Sequence, residues 1–126
     1  MKIYNITEIN EHLKGKEILL SKITDDSVRL IFNDGYLDMY HSQDCCETVY
    51  IEDINGNKDL NGAIFYEVIQ KECDRDGLDY DDSFTWTFYT IRTSKGYLDI
   101  RWYGSSNGYY SESVDVEFLF NNKDLM

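Results

Sequence analysis

From position 41 the chain reads His-Ser-Gln-Asp-Cys-Cys-Glu, so His41, Asp44, Cys45, Cys46 and Glu47 bring an imidazole, two thiols and two carboxylates into one short stretch. Zinc takes neutral imidazole nitrogen and thiolate sulfur in tetrahedral sites, whereas magnesium and calcium select oxygen. The stretch predicts a structural zinc held by His41 with Cys45 or Cys46. Asp44, Glu47 or a residue from elsewhere would complete it, with Cys73 the distant candidate and His12 a weaker one. The spacing matches none of the standard zinc patterns, whose paired cysteines are separated by a few residues. The plainer reading is that both thiols pack as small buried side chains at a strand end and His41 is a hydrogen-bonded edge residue. Free cysteines are commonly buried, which makes this the more frequent outcome.

A thiolate–imidazolium pair of Cys45 and His41 is the rival chemistry. It would need a general-base geometry and an oxyanion site, and nothing in the chain resembles a nucleophile elbow or a glycine-rich cradle. Pairs of carboxylates can be drawn from 24 acidic residues in many ways, so they single out no glycosidase centre. The expectation is that the protein is not an enzyme.

The run IRWYGSSNGYYSE sets Trp102, Tyr103, Tyr109 and Tyr110 around a loop from Gly104 to Gly108. Aromatics beside small polar residues suit a contact surface. Equally, Trp102 can belong to the core while Gly104, Asn107 and Gly108 only make the turn. Arg101, on the polar side of its strand, is expected to meet a carboxylate of the protein itself.

These residues must be positioned by elements whose periodicity is mostly that of strands. Thr7 can cap a short helix through Ile9 and Leu13 to a stop at Gly15. Runs 17–25 and 27–33 read as a hairpin, and Asn33-Asp34-Gly35, all residues that tolerate positive φ, as a reversal into 36–41. TVYIEDI reads as a strand, and 63–73 as another with Ile64, Tyr66 and Val68 on one face. In 83–94, Trp86 and Phe88 oppose Tyr89 and Ile91, while in the next strand Leu98, Ile100 and Trp102 oppose Asp99, Arg101 and Tyr103. Val114, Val116, Phe118 and Phe120 alternate in the last. The expected fold is α+β, mainly antiparallel β, a curved sheet or sandwich of about six to eight strands with a short N-terminal helix, forming a single domain over 1–126.

Charge bounds the partners. The 24 Asp and Glu against 12 Lys and Arg give a formal net charge of −12, which opposes direct binding to a phosphate backbone and either favours a basic surface on another protein or serves only to maintain solubility. The loop 74–82, DRDGLDYDD, concentrates this acidity. Three cysteines, two of them adjacent, do not suit a disulfide scaffold, and no apolar run reaches membrane-spanning length, so a cytoplasmic, membrane-free setting is expected.

The segments YHSQDCCETVYIEDI and FTWTFYTIRTSKGYLDIRWYGSSNGYYSE resemble a family of small uncharacterised domains of bacteria and their phages, over roughly residues 15 to 117. The resemblance implies one shared fold in which strands lead into and out of both motifs, and it implies a setting in a bacterial host. Small acidic phage proteins of this appearance often act by occupying a host defence protein, with anti-CRISPR inhibitors the best known by analogy. By that analogy the partner is a basic nucleic-acid-handling protein, such as a CRISPR effector nuclease, and the chain is its inhibitor. A cysteine-dependent enzyme and a metal-free interaction module are the alternatives.

Overall fold

A computed structural model describes residues 2–41, 47–76, 83–106 and 114–120. Mainly antiparallel strands fill it, with one short helix near the N-terminus. In chain order these are β1 (Lys2–Ile3), α1 (Ile6–Leu13), β2 (Leu20–Ile23), β3 (Ser27–Phe32), β4 (Gly35–Tyr40), β5 (Thr48–Gly56), β6 (Phe65–Asp76), β7 (Ser83–Thr93), β8 (Gly96–Ser106) and β9 (Asp115–Phe120). A two-residue strand such as β1 leaves no periodicity, and it takes the number among the described residues one above the expected range.

The strands form a five-stranded sheet, β1-β9-β4-β3-β2, and a four-stranded sheet, β5-β8-β7-β6. Their inner faces enclose a common core. Val28, Leu30 and Phe32 of β3, Leu37 and Met39 of β4 and Phe118 of β9 meet Val68 of β6, Tyr89 and Ile91 of β7 and Leu98, Ile100 and Trp102 of β8. The Phe32 ring bridges the sheets, 5.9 Å from Phe65 and 6.2 Å from Phe118 between centroids. Burying each such side chain contributes roughly 1.5–3 kcal/mol. Period-two alternation is what makes this possible, and it places Leu98, Ile100 and Trp102 inward as their spacing indicates.

Three local readings are corrected. The helix is capped by Asn5, not Thr7: the Asn5 carboxamide oxygen accepts from the N–H groups of Thr7 and Glu8 at 2.8 and 3.2 Å, which leaves Thr7 inside the first turn. The reversal at Asn33-Asp34-Gly35 uses no positive φ. Gly35 is required there for space, because a Cβ would overlap the Leu119 carbonyl oxygen and sit 2.8 Å from the Phe118 ring. On β6, Tyr66 does not share a face with Val68. A bulge between Phe65 and Glu67 shifts the alternation by one residue, so that Phe65 and Val68 are both buried and Tyr66 is exposed.

The chain also covers parts of its own sheet edges. Asn10 of α1 lies against β6, donating from its amide nitrogen to Val68 O at 2.9 Å and accepting from Val68 N–H at 2.8 Å. A side-chain amide thus replaces one rung of a missing neighbour strand. Further back, Gly15 N–H donates to Phe65 O and Phe65 N–H to Lys16 O, both at 2.8 Å. On β2, Asn61 Oδ1 accepts from Ser21 N–H at 2.8 Å. Such plugs cover the particular rungs they bond and close those positions to other chains.

Candidate functional site

The predicted zinc loop joins β4 to β5. Asp44, Cys45 and Cys46 lie outside the described residues, but the two ends of the loop are placed. His41 follows β4 and Glu47 precedes β5, and His41 Nε2 donates to Glu47 Oε2 at 2.9 Å with both side chains buried. Imidazole and carboxylate therefore already clasp the loop across its base. Among the described residues no group of three or more His, Cys, Asp or Glu side chains converges as a metal site. Cys73 stands on β6 opposite Trp86 in register.

His12, the weaker of the distant candidates, lies in a cluster with Asp34 and Lys16. Its Nε2 donates to Asp34 Oδ2 at 2.8 Å, its ring packs 4.9 Å from both Phe118 and Phe120, and Lys16 Nζ reaches the same carboxylate oxygen at 2.7 Å. The cluster ties α1 and the segment after it to the β3–β4 turn. Burial pushes the Asp34 carboxyl upward, but the hydrogen bonds from Lys16 and His12 outweigh it and hold the group below its usual range.

The outward face of the four-stranded sheet carries a grouping of aromatic side chains that the core does not absorb. Register places Tyr50 of β5 opposite Tyr103 of β8, and Tyr103 opposite Trp86 of β7. Their rings are tilted neighbours, with Tyr50–Tyr103 centroids at 5.8 Å and Trp86–Tyr103 at 4.8 Å. Phe88 and Ile69 extend the surface, at 37% and 45% exposure, values well above those of core positions. Trp102, which the sequence allowed on either side, belongs to the core; Tyr109 and Tyr110 lie outside the described residues.

Charged partners hold this face in shape. Arg101 donates to Glu52, lies 3.9 Å from Asp53 and stacks 5.5 Å from the Trp86 ring centroid, so the expected carboxylate partner is found in the β5 strand beside it. Thr90 donates to Asp99 at 2.6 Å, and Arg92 pairs with Glu67 at 3.1 Å. Between these groups, Asp53, Asn55, Asp99, Phe88 and Ile69 border a shallow concavity of about 360 Å³. An exposed tyrosine and phenylalanine beside a half-buried tyrosine and tryptophan, with a paired arginine, match the composition of contact surfaces. Tyr50, Ile69 and Phe88 were not singled out in the sequence as contact residues, since only the strand order β5-β8-β7-β6 brings them beside Tyr103.

No helix among the described residues is long and apolar enough to cross a membrane. No curated protein and no solved structure matches the chain. A family model described as a domain of unknown function, DUF7448, matches residues 6–116, from the first residue of α1 into β9. That span is most of the chain, which therefore belongs to the DUF7448 family.

Proposed function

We propose that this chain is an acidic protein-binding domain that occupies a basic surface of a nucleic-acid-handling protein in a bacterial host, a CRISPR effector nuclease being the type that the analogy with phage inhibitors suggests. The observation that carries the reading is the outward face of the β5-β8-β7-β6 sheet. Trp86, Tyr103, Tyr50, Phe88 and Ile69 form a surface on paired strands, with Arg101 already neutralised by Glu52 and Asp53. Burial of such aromatics supplies affinity, while the net charge of −12 supplies attraction toward a basic partner and repels nucleic acid itself. An inhibitor needs no catalytic group under this reading. Its acidic surface competes with a phosphate backbone for the same cationic groove. A zinc ion held by His41, Asp44, Cys45 or Cys46 would serve only to fasten the β4–β5 loop.

The test is capture followed by competition. Immobilised chain is exposed to a lysate from a bacterium carrying nuclease-based immunity, and each retained protein is then assayed for nucleic-acid binding with and without the soluble chain. The proposal requires a retained protein whose nucleic-acid binding is blocked by the wild-type chain and restored when Phe88→Ala and Tyr103→Ala are combined. Retained proteins that bind nucleic acid equally well in the presence of the chain would refute it.

A further inference from the structure

The five-stranded sheet ends at β2, and hydrogen-bond parity shows which of its backbone groups face outward. Thr24 N–H donates to Ser27 O at 2.9 Å, and the register sets Ile23 opposite Val28 and Lys22 opposite Arg29. Bonded and non-bonded pairs alternate along an antiparallel ladder, so Ile23 falls at a non-bonded pair and its N–H and C=O point away from β3. The same parity turns Ser21 N–H outward, where Asn61 receives it. One rung further on, at Ile23, no group among the described residues takes that place.

This open rung borders a cleft. The two sheets approach one another here, with Ile51 N–H of β5 donating to Asp25 O at 2.9 Å, and beside that contact lies a concavity of about 590 Å³. Ile23, Ile51 and Ile54 are partly buried against the core and give the cleft its apolar part. Asp25, Glu52 and Asp53 line it against a single cation, Lys58. Arg101 engages Glu52 and approaches Asp53, but the Asp53 side chain stays 58% exposed, and Asp25 has no ion-pair partner among the described residues.

We infer that β2 and this cleft receive an extended segment bearing lysine or arginine, which adds to the sheet at Ile23. The inference rests on the protein-binding reading above and names a second, backbone-directed contact with the same kind of partner. Strand addition supplies main-chain hydrogen bonds, and alternate side chains then have separate destinations. Apolar residues of the incoming segment face the three isoleucines, and the cationic ones between them face Asp25 and Asp53. The carboxylate excess selects such a segment over a second copy of this acidic chain.

The probe is an acetylated, amidated pentapeptide of alternating valine and lysine, with the valine–glutamate peptide as control. Amide shifts from a titration should map to Ile23, Asp25, Ile51 and Asp53, hydrogen exchange at Ile23 N–H should slow, and the glutamate peptide should not bind. Ile23→Pro removes the outward N–H while leaving the ladder to β3 intact, as proline permits on an edge. The paired reversal Asp25→Lys with Asp53→Lys tests the charge and needs no backbone change. Each should weaken the lysine peptide by about tenfold or more, the scale of one lost charge-supported or main-chain hydrogen bond. Unaltered binding to the charge-reversed chain, shifts confined to the Tyr50–Tyr103–Trp86 face, or Ile23 protection that grows with protein concentration without peptide would each overturn the inference. If a basic protein is still captured and blocked through Phe88 and Tyr103 by the charge-reversed chain, this inference falls alone; if none is captured by the wild type, the broader reading falls.

Discussion

Replacing Asn10 by alanine removes both hydrogen bonds that close the β6 edge at Val68. Val68 is almost fully buried and α1 lies over it, so its N–H and C=O cannot simply exchange Asn10 for free water. A net hydrogen bond contributes about 1 kcal/mol, and a buried group left unpaired costs about 1–3 kcal/mol. Alanine returns a few tenths of a kcal/mol through its better helix propensity. The balance for Asn10→Ala is a loss of about 2–3 kcal/mol. For a domain near this size that lowers the melting temperature by roughly 6–10 °C. Asn10→Asp sharpens the test: its carboxylate still accepts from Val68 N–H but faces the Val68 carbonyl without a donor. Protonation restores an O–H donor, so the deficit of Asn10→Asp should shrink on acidification while that of Asn10→Ala does not. Urea denaturation at two pH values, with hydrogen exchange at the Val68 amide, reads both effects. A stability for Asn10→Ala within about 0.5 kcal/mol of the wild type, the range of ordinary surface substitutions, would refute the edge-plug argument.

Gly35→Ala should lose about 1–3 kcal/mol because its methyl group meets the Leu119 carbonyl and the Phe118 ring, a loss that chemical denaturation will register; full retention of stability would mean that β9 yields there. Asp34, held below its usual pKa, contributes stability that is fully present above the ordinary carboxylate range and is lost as pH falls through its lowered value, so Asp34→Asn should flatten the acid limb of the stability curve. Tyr40, half-buried and donating to Glu117 at 3.1 Å, has its pKa pushed up to about 12; stability should fall between its unfolded pKa near 10 and that value, and Tyr40→Phe should remove this alkaline slope. Elemental analysis of protein purified without a metal-affinity tag should find about one zinc per chain if zinc fastens the β4–β5 loop, with chelator lowering the melting temperature. No zinc and no change with chelator would leave the His41–Glu47 contact as the clasp.

The alternation of Leu98, Ile100 and Trp102 or of Tyr89 and Ile91 was legible because a half-buried strand obeys a period of two over many residues. A bulge breaks that rule with one extra residue, so simple alternation puts Tyr66 on the face of Val68 whereas the fold puts Phe65 there. The helix cap went to Asn5 rather than Thr7 because both types can cap and only the direction of the hydrogen bonds decides between them. Gly35 looked like a residue chosen for φ, whereas its constraint comes from β9, a strand more than eighty residues away in sequence. At the candidate site, the carboxylate partner of Arg101 followed from composition and strand parity. Nearness in the chain groups His41 and Glu47 only as candidate zinc ligands, and their direct hydrogen bond shows only in the structure. The union of Tyr50, Tyr103, Trp86, Phe88 and Ile69 depended on strand order and register, which no local pattern encodes.

Competition for a basic surface is the claim on which the account depends, and an equilibrium measurement reaches it directly. A nucleic-acid-binding protein captured by the chain is titrated with a labelled oligonucleotide at increasing concentrations of the chain, at low and at high salt. The chain should displace the oligonucleotide, displacement should weaken as salt screens exposed charge over about 10 Å at 0.1 M, and the combined Phe88→Ala and Tyr103→Ala variant should displace it poorly at both salt concentrations. Simultaneous binding of chain and oligonucleotide to the captured protein, with no mutual displacement at any salt concentration, would contradict it.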